Sequence, residues 1–383
     1  MLTQTELTAL DFKPAAIIVT GGAPFSHPMI RLLALGVPTV LVSAQTARHL
    51  EYGKAVFVDG LNGTITQPPP SKVNTGLGPA PPPAAPLILS DGSEVQLRAS
   101  ICGREEASQA VNHGAAAIGL VRTEFLVPDQ GRIPDAAFYR SVLSALCDAA
   151  RPLSVTLRLP DISQDKPVPW LEQTIVAASP LGLLGVRLFD KEPVTSVINA
   201  FVDAVNELAK SYSINLLLPY VTQLEEFRYW RSVLERRLHN KVSIGAMLES
   251  PAAILALPHW FEIADFVAIG CNDLMQCLFA ADRDIAELSP YLDAYSPQLF
   301  LFLQQAANAA GDHIDRLQLC GLLSQRPGVL PILLGMGFRA FSVAPVMLPY
   351  LAQTVKQIDM ADARALAQQV CEAKHHHQVR ELL

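Results

Sequence analysis

An α/β chain closing as a (β/α)8 TIM barrel behind a small α/β module is what the sequence predicts, on three observations. Apolar β-like runs alternate with helical stretches over most of the chain. Several of those runs end on charged or reactive residues. A proline-rich stretch separates a short amino-terminal module from everything after it. Strands alternating with helices imply a parallel sheet wrapped in helices, and about 250 residues suffice for an eight-stranded barrel.

The first element is TGGAPFSHPMIRLLALGVPTVLVS, which runs strand, Gly-rich turn, histidine, helix, strand. His27 stands at the start of a helix predicted over 28–35, after Gly21, Gly22 and Ser26. Helix-start amides favour an anion there, including a phosphate carried on the imidazole. A neutral imidazole is nucleophilic near neutral pH, and a phosphoryl group on its nitrogen stays transferable. A capping or surface histidine is the ordinary alternative. Next comes QPPPSKVNTGLGPAPPPAAP, which holds neither a regular helix nor a central strand. It places a linker at 67–90, between a module over 1–66 and a barrel over 91–355, with a carboxyl-terminal helix and tail over 356–383.

Within the barrel region the strand candidates are VQLRASI, AAIGLV, LSVTLRL, GLLGVRL, INLLLP, VSIGAML, DFVAIG, LQLCG and FRAFSV. Nine is one more than the barrel needs, so GLLGVRL is expected to be partly loop. Helices are expected in PVTSVINAFVDAVNELAKSY and SPQLFLFLQQAANAAG, and an amphipathic helix over 349–372 closes the pattern. His375, His376 and His377 read as a solvated tail.

Polar strand ends favour a closed barrel over an open doubly wound sheet. Arg122 follows AAIGLV, Arg158 ends LSVTLRL, Glu249 follows VSIGAML, Asn272 and Asp273 follow DFVAIG, and Cys320 ends LQLCG. Closure would bring these ends to one mouth, where barrel enzymes hold metal and substrate, whereas an open sheet would spread them along an edge. Read without chemistry, Asn272 and Asp273 would cap the next helix and Glu249 would be solvated.

Bulk properties narrow the partners. The 383 residues carry a net charge of -7, which argues against nucleic acid or an anionic membrane as the main partner. An anionic substrate would need a local cluster of arginines. No apolar run reaches the length of a membrane helix. The start MLTQTELTALDF lacks the basic and apolar stretches of a signal peptide, so a cytoplasmic protein is expected. Six cysteines without CxxC spacing indicate neither a zinc site nor a disulfide framework.

GGAPFSHPMIRLLALGVP followed by GKAVFVDGLNGTI resembles the phosphohistidine (swivelling) domain of phosphoenolpyruvate (PEP)-utilising enzymes. GLVRTEFL, RLPDISQDK, GAMLESPAA, IGCNDLMQCLFAADR and CGLLSQRPGVLPILLGMGFRAFSVAP resemble the PEP-binding barrel of the same family. Their order is most similar to Enzyme I, the PEP-protein phosphotransferase of the sugar phosphotransferase system. The resemblance implies that PEP phosphorylates His27 and leaves as pyruvate. It makes Arg122, Arg158 and Arg283 the arginines that hold phosphate and carboxylate, with Arg187 and Lys166 as further substrate contacts and Asp161 as a charged loop position. It makes Glu249 and Asp273 ligands of Mg2+, Asn272 a phosphate contact, and Cys320 the acid that protonates the enolate carbon. It also implies an HPr-like phosphocarrier protein as acceptor, a homodimer, and a linker that lets the small module swing to the barrel mouth.

Independent chemistry agrees with this assignment. A strongly anionic substrate needs several guanidinium forks. Hard carboxylate oxygens suit magnesium, which keeps waters and takes its remaining ligands from the substrate.

The chain departs from the family at charged positions. Leu184 stands for an arginine in SPLGLLGVR, where Ser179 replaces an asparagine and Arg187 survives. Leu322 replaces an acid after Cys320 and Gly321. Near His27, Leu33 replaces an arginine, Ala23 a glycine and Phe25 a small polar residue. A truncated module without the HPr-docking domain or an ATP-grasp domain is expected. Two alternatives to phosphoryl transfer follow: a degenerate PEP- or pyruvate-binding regulatory or scaffold protein with little turnover, and a lyase or aldolase on the same barrel.

Overall fold

Short runs of β-branched residues set the first strands, β1 (Ile17–Thr20) and β2 (Thr39–Val42), which pair in parallel from Ile17↔Thr39 to Thr20↔Val42. They belong to a computed structural model that describes residues 14–20, 22–26, 29, 30, 32, 36–60, 63–70, 86–128, 131–163, 166, 168–171 and 181–383. The chain divides into two units, Met1–Ala80 with Ala281–Leu292, and Pro81–Ala280 with Asp293–Leu383.

In the first unit, Ile17, Met29, Leu32 and Val37 form a small core with Val19 packed on it. The turn before the helical residues Met29, Ile30 and Leu32 is fixed by two bonds. The Ser26 amide donates to the Ala23 carbonyl at 3.0 Å, and the Ile30 amide to the Ser26 carbonyl at 3.1 Å. His27 lies outside the described residues. Helix α1 (Ala44–Arg48) is capped by the Ser43 hydroxyl, which accepts from the Thr46 amide at 3.0 Å. β3 (Phe57–Asp59) and β4 (Thr64–Thr66) form an antiparallel hairpin.

The second unit is the barrel. After β5 (Leu87–Ile88) come eight strands: β6 (Glu94–Ile101), β7 (Ile118–Arg122), β8 (Val155–Arg158), β9 (Ile214–Leu218), β10 (Ser243–Leu248), β11 (Val267–Gly270), β12 (Leu317–Cys320) and β13 (Ala340–Val343). Each pairs in parallel with the next, and β13 pairs back onto β6, so the sheet closes. β5 adds only an antiparallel contact to β6. Every residue of β8, β11, β12 and β13 is buried, as expected of strands covered on both faces.

The connecting helices are α2 (Arg104–Asn112), α3 (Ala136–Ala150), α4 (Val194–Leu208), α5 (Leu224–Glu235), α6 (Pro251–Leu255), α7 (Leu257–Ile263), α8 (Cys271–Phe279), α9 (Pro297–Ala310) and α10 (Val329–Gly335). α11 (Leu348–Gln357), α12 (Met360–Glu372) and α13 (His376–Leu382) follow the last strand. Among the described residues no helix is long and apolar enough to cross a membrane.

Three expectations need correction. GLLGVRL is no strand: Gly185 takes φ 55°, a left-handed conformation, and Gly185–Leu188 winds into a 3-10 turn. The helix expected over 349–372 is two helices. Ile358 leaves the helical conformation, and Asp359 starts α12 by accepting from the Ala361 and Asp362 amides. The tail after His375 is helical and docked rather than merely solvated. Val379 is fully buried, and Arg380 forks onto Asp293 at 2.8 and 2.9 Å.

Candidate functional site

Parallel strands in register deliver their carboxyl ends to one side of the barrel, and the polar residues are found there. Arg122 closes β7 and Arg158 closes β8, and the two are register partners. Both are buried. The turn after Arg122 is locked to the neighbouring strand, because the Thr123 hydroxyl donates to the Arg158 carbonyl at 2.5 Å. That turn carries Glu124 inward, where its carboxylate pairs with the Arg158 guanidinium.

Arg158 is the hub of the cluster. Besides Glu124 it donates to Asp161 at 2.9 Å and lies 3.9 Å from Glu249 Oε1. Asp161 in turn holds Lys166. Burial works against the Arg158 charge, but Asp161, Glu124, Glu249 and Asp273 outweigh it, so the guanidinium is held above its ordinary range.

Glu249 follows β10 and is 2 % exposed. It receives the Tyr220 amide on Oε2 at 3.2 Å. Gly270, at the end of β11, makes room for it. A Cβ at that position would collide with the Glu249 carboxylate, so a side chain there would push the acid out of place. Burial, followed by the negative charges of Asp273 and Asp161, pushes the Glu249 carboxyl up to about 8, against the pull of Arg158 and Lys166.

Asn272 and Asp273 lie in the first turn of α8, directly after β11. The Leu322 amide donates to Asn272 Oδ1 at 3.0 Å, which fixes the amide orientation and turns the Nδ2 donor the other way. Cys320 ends β12 opposite Gly270 and packs with Leu120, Leu217, Met247 and Ala268. Burial pushes its thiol up to about 12, with Arg122, Arg158 and Arg98 pulling down and Glu249 pushing up. The group is therefore a neutral thiol rather than a thiolate near neutral pH.

Around Arg158, the cations Arg158 and Lys166 meet four carboxyl groups, Glu124, Asp161, Glu249 and Asp273. Arg122 also acts on Glu106 and Cys320. The crowding disfavours the ionised form of Glu249, and a divalent cation held by Glu249 and Asp273 would favour it. Among the described residues no group of three or more His, Cys, Asp and Glu side chains forms a metal cage. Two carboxylates with open positions fit magnesium, which retains waters and accepts substrate oxygens.

The remaining candidates are placed differently. Arg187 is engaged by the Gly182 carbonyl at 3.1 Å, Thr222 Oγ1 at 3.0 Å and Glu226 at 3.5 Å. Leu184, beside it, is buried. Arg283 is buried and belongs to the unit containing Ala281–Leu292. Glu124 and Tyr220 were not singled out from the sequence. An acid two residues beyond the strand-end arginine in RTEF was a usable signal for Glu124, whereas Tyr220 contributes through a backbone amide that no side-chain pattern announces.

A cavity of about 400 Å3 lies elsewhere, lined by Arg228, Arg231, Asp265 and Arg316 near the amino ends of β11 and β12. Two of its arginines hold backbone: Arg231 donates to the Ile263 carbonyl at 2.6 Å and Arg316 to that of Ala264 at 2.5 Å. These bonds secure the end of α7, a stabilising role typical of that face of a barrel.

Comparison with known proteins accounts for most of the chain. Residues 81–360 match the PEP-binding domain of PEP-utilising enzymes, and residues 1–63 match the mobile domain. The chain is 29% identical over 402 residues to a phosphoenolpyruvate-protein phosphotransferase of Haloferax volcanii, covering 100% of this chain and 70% of that protein. It is 26% identical over 405 residues to multiphosphoryl transfer protein 2 of Escherichia coli K12, covering 100% of this chain and 48% of that protein. A phosphoenolpyruvate-dependent phosphotransferase system protein of Escherichia coli K12 is 29% identical over 407 residues, covering 99% of this chain and 53% of that protein. The chain thus spans about half the length of these Escherichia coli relatives. With a closed parallel barrel whose carboxyl ends gather arginines and carboxylates, and with both domains matched, the chain belongs to the PEP-utilising enzyme family.

Proposed function

We propose that the barrel mouth binds PEP, that its phosphoryl group passes to His27, and that pyruvate leaves. The observation that carries this reading is the buried cluster around Arg158, in which several carboxyl groups lie beside strand-end arginines and a protonated thiol. In the proposed reaction the P–O bond of PEP breaks and a P–N bond to His27 forms, with the electron pair left on the enolate oxygen. The Cys320 proton then goes to the enolate carbon, and water restores the thiol.

Arg122, Arg158 and Lys166 orient the phosphate and carboxylate, with Arg283 assigned to the same task, and Asn272 offers its Nδ2 donor to the phosphate. Glu249 and Asp273 would hold magnesium. When bound, magnesium would offset charge on the phosphate and on the developing enolate oxygen. The same reading assigns 1–66 to a partial phosphohistidine domain and 91–355 to the PEP-binding barrel, with an HPr-like phosphocarrier as acceptor and a homodimer as the assembly.

Labelled PEP and magnesium test this directly. The wild type should acquire acid-labile label and release pyruvate, and His27→Ala should retain no label. Equal labelling of both proteins would overturn it.

A second reading, a PEP- or pyruvate-binding regulatory protein with little turnover, is favoured by one observation. Leu184 is buried where the family places an arginine, and Arg187 is tied to Thr222 and Glu226. Heat released on adding PEP, with no pyruvate formed, would support it.

A further inference from the structure

Tyr220, two residues beyond β9, holds φ 50° and is buried. The left-handed region is strained for a bulky residue and persists only where the surroundings impose it. In this conformation the Tyr220 amide donates to Glu249 Oε2 at 3.2 Å. Its hydroxyl lies 3.5 Å from Cys277 Sγ. Cys277 is four residues beyond Asp273 on α8, so the two share a helix face.

We propose that Tyr220 is a positioning residue for the divalent-cation site. Its backbone pins the Glu249 carboxylate and its side chain pins the helix that carries Asp273, so a single residue sets the spacing of the two ligands. The proposal rests on the reading of Glu249 and Asp273 as metal ligands. Its physical logic is geometric. Magnesium demands near-ideal octahedral geometry, so a site with only two protein carboxylates depends on where their carriers are held. The amide bond fixes the Glu249 carboxylate through Oε2. Strain at Tyr220 is the cost of aiming an amide at the acid and a phenol at the helix from one position.

The test uses the full chain and Mn2+ as the probe, with free ion counted by its electron paramagnetic resonance signal and the melting temperature of the metal-free protein read alongside. Tyr220→Phe should weaken Mn2+ binding by about three- to tenfold, at or below the usual effect of removing a group that orients a ligand. The metal-free melting temperature should stay nearly unchanged. Cys277→Ala should reproduce the loss, the combined variant should be no weaker than either single one, and Cys277→Ser, which keeps a partner for the phenol, should restore affinity. Wild-type affinity in Tyr220→Phe, or losses that simply add, would overturn the proposal and leave the ligand reading standing. A wild type that takes up no Mn2+ would overturn the ligand reading, and the proposal with it.

Discussion

Arg158 shows how much of the site depends on one side chain. It lies 1 % exposed among Glu124, Asp161 and Glu249, so deleting its charge strands carboxylates that water cannot reach. Arg158→Met should therefore cost about 3–5 kcal/mol in denaturant unfolding, the scale of a broken buried ion pair. Adding Glu124→Gln to that variant should recover part of the loss, since one stranded charge is removed. A loss under about 1 kcal/mol, the range of exposed pairs, would show that water reaches the cluster.

Cys320 makes a second residue-scale case. A thiol pushed up to about 12 is almost entirely protonated near pH 8, where an ordinary exposed thiol is already partly thiolate. Iodoacetamide at pH 8 should leave Cys320 unmodified in the native protein and label it readily after denaturation. Rapid native labelling would contradict its assignment as a proton donor.

At the scale of elements, the break between α11 and α12 depends on one cap. Asp359 accepts from the Ala361 amide at 2.7 Å and the Asp362 amide at 3.2 Å. Asp359→Ala should cost about 1 kcal/mol, read as a lower denaturation midpoint with an unchanged slope. A neutral result would mean that packing alone starts α12. The same break explains what the sequence hid. Apolar spacing continues through 349–372, and only an aspartate at the N-cap interrupts it. GLLGVRL likewise has the composition of a strand, but Gly185 turns the chain through a left-handed conformation. Most of the eight strands were legible because burial on both faces favours largely apolar runs, and a polar residue at such a run's end stands out. Arg122, Arg158, Glu249 and Cys320 were found that way. Glu124 was hidden within a recognised motif, and Tyr220 acts through backbone geometry, which residue types do not encode.

For the whole molecule, an acidic chain with a net charge of -7 holds an anion-binding site only if charge is sorted locally. Strand-end arginines lie beside several carboxyl groups, and in the proposed reading a divalent cation held by Glu249 and Asp273 would let an anionic substrate approach them. Binding to the folded state alone then stabilises the chain by linkage, about 2.7 kcal/mol at a hundredfold excess over Kd. Magnesium should thus raise the melting temperature by several degrees, with matched ionic strength from sodium as the control. Glu249→Gln should lose this rise, yet the metal-free variant should be at least as stable as the wild type. Burial penalises the Glu249 charge, and glutamine keeps an oxygen for the Tyr220 amide while removing a group that cannot ionise there without cost. The two effects have opposite signs, which separates a metal ligand from a structural acid. If Glu249→Gln lowers metal-free stability and keeps the magnesium response, Glu249 is a structural partner of Arg158 and the cation is held elsewhere.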